Sequence, residues 1–183
     1  NIKNLHFLFI PVDKNIECFD VSKKNPIKDL FYAMSHGVNR ATLKKGKNDS
    51  RIHFLNNLIK KLENIDCDFY GFQNKEPIWG NDFYKALVNS KMGLNLSRGL
   101  PTKYYSSNRI ASLMGNGLLT FIDKKTHIND FFNNNEIIFY SNIDDLSEKI
   151  KFYKKNEKSR IRIAKNGKKK YFKLFNELIT TKY

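Results

Sequence analysis

Residues 97–109, SRGLPTKYYSSNR, are the segment richest in residues that could do chemistry. Arg98, Lys103 and Arg109 supply three cations. Ser106, Ser107 and Asn108 are helix-capping types and stand just before an apolar, helix-periodic run. A helix that begins there presents free N–H groups and the positive end of its dipole, which together bind anions. With three cations alongside, the segment has the makings of a diphosphate site. The alternative reading is an ordinary capped helix with solvated basic residues.

Two further loops offer complementary groups. In SHGVNR (35–40), Gly37 permits a tight turn or a close backbone approach, and His36 or Arg40 could reach a phosphate or a sugar hydroxyl. In GFQNKEPIWG (71–80), Phe72 or Trp79 could stack on a base and Gln73 or Asn74 could hydrogen-bond one. The plainer readings are a turn at a strand end and hydrophobic packing beneath a loop. Other chemistries find no footing. His6, His36, His53 and His127 are scattered and Cys18 and Cys67 lie far apart, so no metal-ligand spacing arises. Nucleophile-elbow, Walker and G-x-G-x-x-G patterns are missing, and Gly115-Asn116-Gly117 precedes a strand instead of following one. Glu76 and Asp82 flank a loop but form no catalytic carboxylate pair.

These loops sit between regularly alternating elements. Residues 5–12 read as a strand or extended crossover, and 13–28 as a polar connector. Strands are expected at 30–35, 67–72, 92–97, 118–122 and 136–140 from short apolar, aromatic-rich runs bounded by turn residues. Amphipathic helices are expected at 51–63 with Ser50 as cap, at 82–90, at 107–115, and from 142 onward. A short helix is expected at 127–133, and a last helix from about 157 to 179, with Gly167 its weak point. Repeated strand–helix alternation implies an α/β, Rossmann-like three-layer domain with a mostly parallel sheet. Ligands of such sheets sit at the C-terminal ends of the strands, so the loops after 35, 72, 97 and 122 are the ones that matter.

Length and composition agree with one domain or one half of a two-domain enzyme. The 183 residues are 40% hydrophobic and 28% charged, which excludes wholesale disorder. No apolar run approaches the roughly 18–20 residues of a membrane span. Two isolated cysteines fit a reducing, cytoplasmic setting. No leader pattern opens the chain, and its first residue, Asn1, reads as the start of a fragment. The net charge of +15 is unevenly placed: from Lys149 onward there are 13 basic and two acidic residues. Only six of the 33 cations are Arg, which argues against a dedicated nucleic-acid surface. Lys168, Lys169 and Lys170 with Tyr171, Phe172 and Phe175 have the pattern of a basic amphipathic helix, suited either to anionic lipid or to packing with a solvated lysine face.

From residue 82 to about 175 the chain resembles the C-terminal, nucleotide-sugar-binding domain of GT-B glycosyltransferases, closest to the CgeB-like, group 1 type. The resemblance is carried by FYKALVNSKMGLNLS, NRIASLMGNGLLTF, HINDFFNNNEIIFY, IDDLSEKIKFY and SRIRIAKNGKK. LFYAMSHGVNR and DFYGF fit its first two strands more loosely. The resemblance implies a division into 1–28, a crossover from an absent N-terminal domain; 29–156, the donor-binding domain; and 157–183, a basic helix packed on it. It implies metal-independent transfer, with no cofactor, from a nucleotide-diphosphate sugar to a glycan or lipid-linked acceptor, in polysaccharide biosynthesis. Contact with an anionic membrane through the C-terminal helix, and no nucleic acid, complete the expected partners. The diphosphate would meet Gly37, Arg40, Arg98, Lys103, Ser106, Ser107, Asn108 and Arg109, and the ribose and base would meet Phe72, Gln73 and Ser112. Catalytic groups would lie mainly in the absent half, with His36 and Arg40 the candidates in this one, so the isolated half would be inactive. In relatives a Glu holds the ribose hydroxyls where this chain has Ser112, and an earlier Glu falls near Tyr104. These departures leave open an inactive nucleotide-binding module, and the net charge of +15 leaves open a basic α/β nucleic-acid binder.

Overall fold

The computed structural model describes residues 9–35 and 49–180. Five strands form one all-parallel sheet: β1 (Lys28–Ala33), β2 (Cys67–Tyr70), β3 (Ser90–Asn95), β4 (Leu119–Asp123) and β5 (Ile138–Tyr140). Their order across the sheet is β2-β1-β3-β4-β5. The chain leaves β1 to one side and returns on the other, so β1 and β3 flank a topological switch point.

The helices are α1 (Ser50–Ile59), α2 (Gly80–Val88), α3 (Asn108–Gly115), α4 (Ile143–Lys155), α5 (Glu157–Leu174) and α6 (Glu177–Thr180). Period-two alternation in the strands assigns them to layers. Leu30 and Tyr32 of β1 join Leu55 and Leu58 of α1 and Leu146 and Ile150 of α4 on one face. Phe31 and Ala33 join Leu87 of α2 and Leu113 of α3 on the other. Ile110 and Met114 of α3 pack with Ile122 and with Tyr171 of α5.

Several sequence expectations shift by a few residues for identifiable reasons. Asp49, not Ser50, caps α1: its carboxylate accepts from Arg51 N–H and also grips the Arg51 guanidinium. The short helix expected at 127–133 is two 3₁₀ turns, Lys124–Thr126 and Ile128–Asp130, parted at His127 with φ 54°. Of the strand or extended crossover expected at 5–12, residues 5–8 lie outside the described residues, and 9–12 form no sheet strand but contribute one bridge, Val12 to Asn176. Gly167 is a point of close approach, not of weakness. A Cβ there would lie 2.1 Å from the carbonyl oxygen of Glu136, so α5 seats against the backbone before β5 only because the side chain is absent. As the packing reading of the C-terminal helix expects, Tyr171, Phe172 and Phe175 turn into the domain around Phe9.

At the N-terminal edge of the sheet, Asp29 is buried between Lys154 of α4 (2.6 Å) and Lys91 of β3 (2.9 Å), and it accepts from Asp66 N–H. Burial pushes its carboxyl up, but these three donors outweigh burial and hold it below the usual carboxylate range. A depressed native value means the stabilisation is present above the unfolded value near 3.9 and fades as pH falls through the native one. Asp29→Asn is therefore expected to lower unfolding free energy by about 2 kcal/mol at pH 7. In denaturant melts its gap from wild type should shrink below about pH 4. A gap unchanged down to pH 2 would show that the charge on Asp29 contributes nothing.

Candidate functional site at the strand switch point

Parallel strands end in outward-pointing carbonyls, and at the switch point no direct crossover covers them. Arg109, in the first turn of α3, fills this gap. Its Nε donates to Ala33 O (3.0 Å) at the end of β1, and Nη1 donates to Leu96 O (3.1 Å) just past β3. The guanidinium lies over the Tyr32 ring, 4.9 Å from its centre. Burial pushes the Tyr32 hydroxyl up, with Arg109 and Arg51 pulling against it, so the ring is a neutral platform. A half-buried cation is thus fixed between the two strand ends.

The helix behind it starts without a side-chain cap. Ser107 has the extended backbone of an N-cap, but its hydroxyl donates to Asn95 Oδ1 (3.2 Å). Asn95 is 1% exposed at the end of β3, and its Nδ2 has no partner among the described residues. Ser106 faces the other way and accepts from Ile10 N–H (3.0 Å). The uncapped start of α3 and a pinned guanidinium stand side by side, the buried Asn95 amide lies behind Ser107, and nothing acidic stands in the first turn of α3. Such an arrangement stabilises negative charge without rearrangement.

Beside this spot a cleft of about 320 Å³ is lined by Ala33, Ser35, Trp79, Tyr84, Arg109 and Ser112, among others. Trp79 is 65% exposed at the start of α2 and offers an aromatic wall there. Ser112 is buried within the cleft wall, one turn along α3 from Asn108.

The structure brings Ser107, Asn108, Arg109 and Ser112 together, and it separates others. Phe72, expected on the base, is 3% exposed and packs edge-on against Phe69, so its ring has no free face for stacking. Gln73 adopts φ 51° and points to Asn56 beside the outer strand β2. Lys103 lies over the Tyr104 ring, and Tyr104 is tied to Thr126 and Asp130 beyond β4, so Lys103 belongs to that side of the sheet. Arg98 is exposed at the start of its loop. His36, Gly37 and Arg40 lie outside the described residues. Sequence reasoning missed Asn95 and Tyr84, because neither belongs to a motif and both matter only through what tertiary packing sets beside them. Among the described residues no cluster of three or more His, Cys, Asp or Glu side chains could hold a metal ion, and no helix is long and apolar enough to cross a membrane.

A doubly wound parallel sheet with a helix start at its switch point is an architecture shared by many α/β proteins that bind ligands there. The chain belongs to the glycosyl transferase-like family, whose model matches residues 50–176. Its fold is that of the Rossmann-like half of GT-B glycosyltransferases. It superposes on TarM with a TM-score of 0.61 at 12% identity, covering 97% of this chain and 36% of that one. It superposes on HepE of Anabaena in complex with UDP with a TM-score of 0.57 at 12% identity, covering 86% and 47%. Against sucrose-phosphate synthase of Thermosynechococcus elongatus the TM-score is 0.54 at 11% identity, covering 95% and 47%. The chain therefore spans a third to a half of the length of these structures. No curated protein sequence matches it. Family and fold together support a role in glycosyl transfer.

Because Arg109 closes two strand carbonyls as well as carrying charge, Arg109→Ala is expected to act twice. Affinity for a nucleoside diphosphate should fall by about 1–3 kcal/mol, and unfolding free energy by about 1–2 kcal/mol. Calorimetric titration and thermal unfolding of the same variant separate the two. Full stability with full affinity would remove Arg109 from the site.

Proposed function

We propose that this chain is the donor-binding half of a glycosyltransferase and holds a nucleotide-diphosphate sugar at the switch point between β1 and β3. The observation that carries the reading is the Arg109 guanidinium, fixed to Ala33 O and Leu96 O beside the uncapped start of α3. Transfer of a sugar leaves negative charge on the departing diphosphate. Arg109, the first N–H groups of α3 and the Asn95 amide would stabilise that charge, so protein groups alone supply the positive field in this reading. The base would lie against Trp79 and Ile78, which border the same cleft. HepE was crystallised with UDP and with UDP and glucose, which favours a uridine nucleotide here. The acceptor and catalytic groups would come largely from chain outside these residues, and the half alone would turn over no donor.

Titration of the protein with UDP, GDP, CMP and dTDP tests this. Saturable binding of at least one, abolished or strongly weakened in Arg109→Ala, is expected. Binding of none, with the protein folded, would sink the reading.

The acceptor is proposed to be a glycan or lipid-linked molecule at an anionic membrane surface. Lys158, Arg162, Lys165, Lys169 and Lys173 recur on one exposed face of α5 over roughly 22 Å. Among the described residues, the α5 cations that reach a carboxylate, Arg160 and Lys170, lie off that face. Such a stripe is attracted to anionic headgroups in a salt-dependent way. Co-sedimentation with phosphatidylglycerol vesicles but not with neutral vesicles, lost when the five are changed to Gln, is the expected result. Equal sedimentation of the five-fold variant would discard the membrane contact.

A further inference from the structure

The site just described uses the start of α3, but the same helix carries a second feature nearer its far end. Asn108, Ser112 and Gly115 recur on one face of α3 at helical spacing. Against that face lies Glu17, from the segment that precedes the sheet. Gly115 admits it: a Cβ at that position would stand 2.5 Å from Glu17 Cγ. Glu17 is only 6% exposed. Its Oε2 accepts from Asp13 N–H (2.9 Å), while its Oε1 has the Tyr84 hydroxyl at 3.4 Å, a long contact. Tyr84 in turn lies within hydrogen-bonding reach of Ser112. The four residues Glu17, Tyr84, Asn108 and Ser112 line a cleft of about 460 Å³, and the last three also line the switch-point cleft. The two clefts thus share a wall, and a ligand anchored at the start of α3 would have the carboxylate one to two helical turns, roughly 6–10 Å, along the helix, because Glu17 packs at Gly115 and reaches back through Tyr84 toward Ser112.

Among the described residues, no cation stands against this carboxylate. The described polar groups that line the cleft with it are Asp13, Tyr84, Asn108, Ser112 and a second carboxylate, Glu177, and burial raises the proton affinity of Glu17, though the Asp13 N–H and Tyr84 oppose that. An ionised carboxylate can only accept hydrogen bonds. The group that satisfies it without a second charge is a hydroxyl, and a pair of adjacent hydroxyls suits an oxygen flanked by the Tyr84 and Ser112 hydroxyls. A ligand that fits the whole trough has an anion at one end, a neutral diol one to two turns away, and a flat apolar part toward Trp79.

We propose that Glu17, set by Gly115 and assisted by Tyr84 and Ser112, is the residue that recognises the ribose diol of the bound nucleotide, supplied by the preceding segment and not by α3. This rests on the donor-binding reading above. It also gives the 13–28 segment, otherwise a connector, a direct part in the site.

The test compares UDP and GDP with their 2′-deoxy forms and with pyrophosphate, in wild type, Glu17→Gln and Tyr84→Phe. Wild type is expected to favour the ribonucleotide over its deoxy form. Glu17→Gln should weaken the ribonucleotide by roughly ten- to a hundredfold, the loss for a charge-assisted hydrogen bond, erase that preference, and leave pyrophosphate within twofold. Tyr84→Phe, which leaves the Asp13 contact in place, should lower ribonucleotide affinity a few-fold and spare pyrophosphate. It serves as the readout if Glu17→Gln does not fold in thermal melts. An unchanged ribo-to-deoxy ratio in folded Glu17→Gln, or, should that variant not fold, in Tyr84→Phe, overturns the proposal. Equal losses for ribonucleotide and pyrophosphate do the same, because they mean a general disturbance. Wild type that binds ribonucleotide, deoxynucleotide and pyrophosphate alike retains the anion site but refutes the role of Glu17. Wild type that binds none of them refutes the donor reading and this inference with it.

Discussion

Where neighbouring parallel strands send their chains in opposite directions, their last carbonyls are left pointing into a gap. In this protein the gap between β1 and β3 is closed by one guanidinium. Arg109 donates to both strand ends and rests on Tyr32. The contact is covalent-chain-independent: it ties residue 33 to residue 96 through a helix that begins at 108. It fixes where α3 starts relative to the sheet, and hence where the free donors of its first turn point. The same guanidinium that closes the strand carbonyls leaves its positive charge at the mouth of the cleft.

The rest of the site depends on how closely α3 can approach its neighbours. Gly93 in β3 would place a Cβ 2.3 Å from a Leu113 methyl, and Gly115 would clash with Glu17. Both absences let α3 lie flat on the sheet and let the preceding segment cross its far end. Gly167 performs the same service for α5 against the chain before β5. Close packing tolerates no added methyl at such points without displacement of backbone or a neighbour. These glycines therefore act through volume, not through unusual dihedrals.

Charge is distributed with a matching logic. Acids that are buried, such as Asp29 and Asp49, are paired with lysine or arginine and serve the frame. Cations on the outer face of α5 are solvated and unpaired among the described residues, while those on its inner side reach Glu157, Glu136 or the carbonyl of Phe19. Glu17 is the exception: a buried carboxylate whose described neighbours are another acid and neutral hydroxyls.

Strand and helix identity was legible in the sequence, because apolar period and turn residues are local properties. CDFY, the core of MGLNLS, LLTFI and the caps around α4 lie where pattern and propensity put them. The start of α3 was legible too, since SSN before an apolar run is a local signal. The loop cations were not so easily sorted. Arg98, Lys103 and Arg109 look equivalent in sequence, and only packing decides that Arg109 enters the switch point while Lys103 follows Tyr104 toward β4. Phe72 and Gln73 read as ligand-facing because they end a strand, yet β2 is the outer strand and the core claims the ring. Glu17 and Asn95 carried no signal at all. A carboxylate 95 residues from the serine it faces is placed by chain crossing and by the missing side chain of Gly115. Patterns of one chain segment report the element it forms; which elements meet is a property of the folded whole.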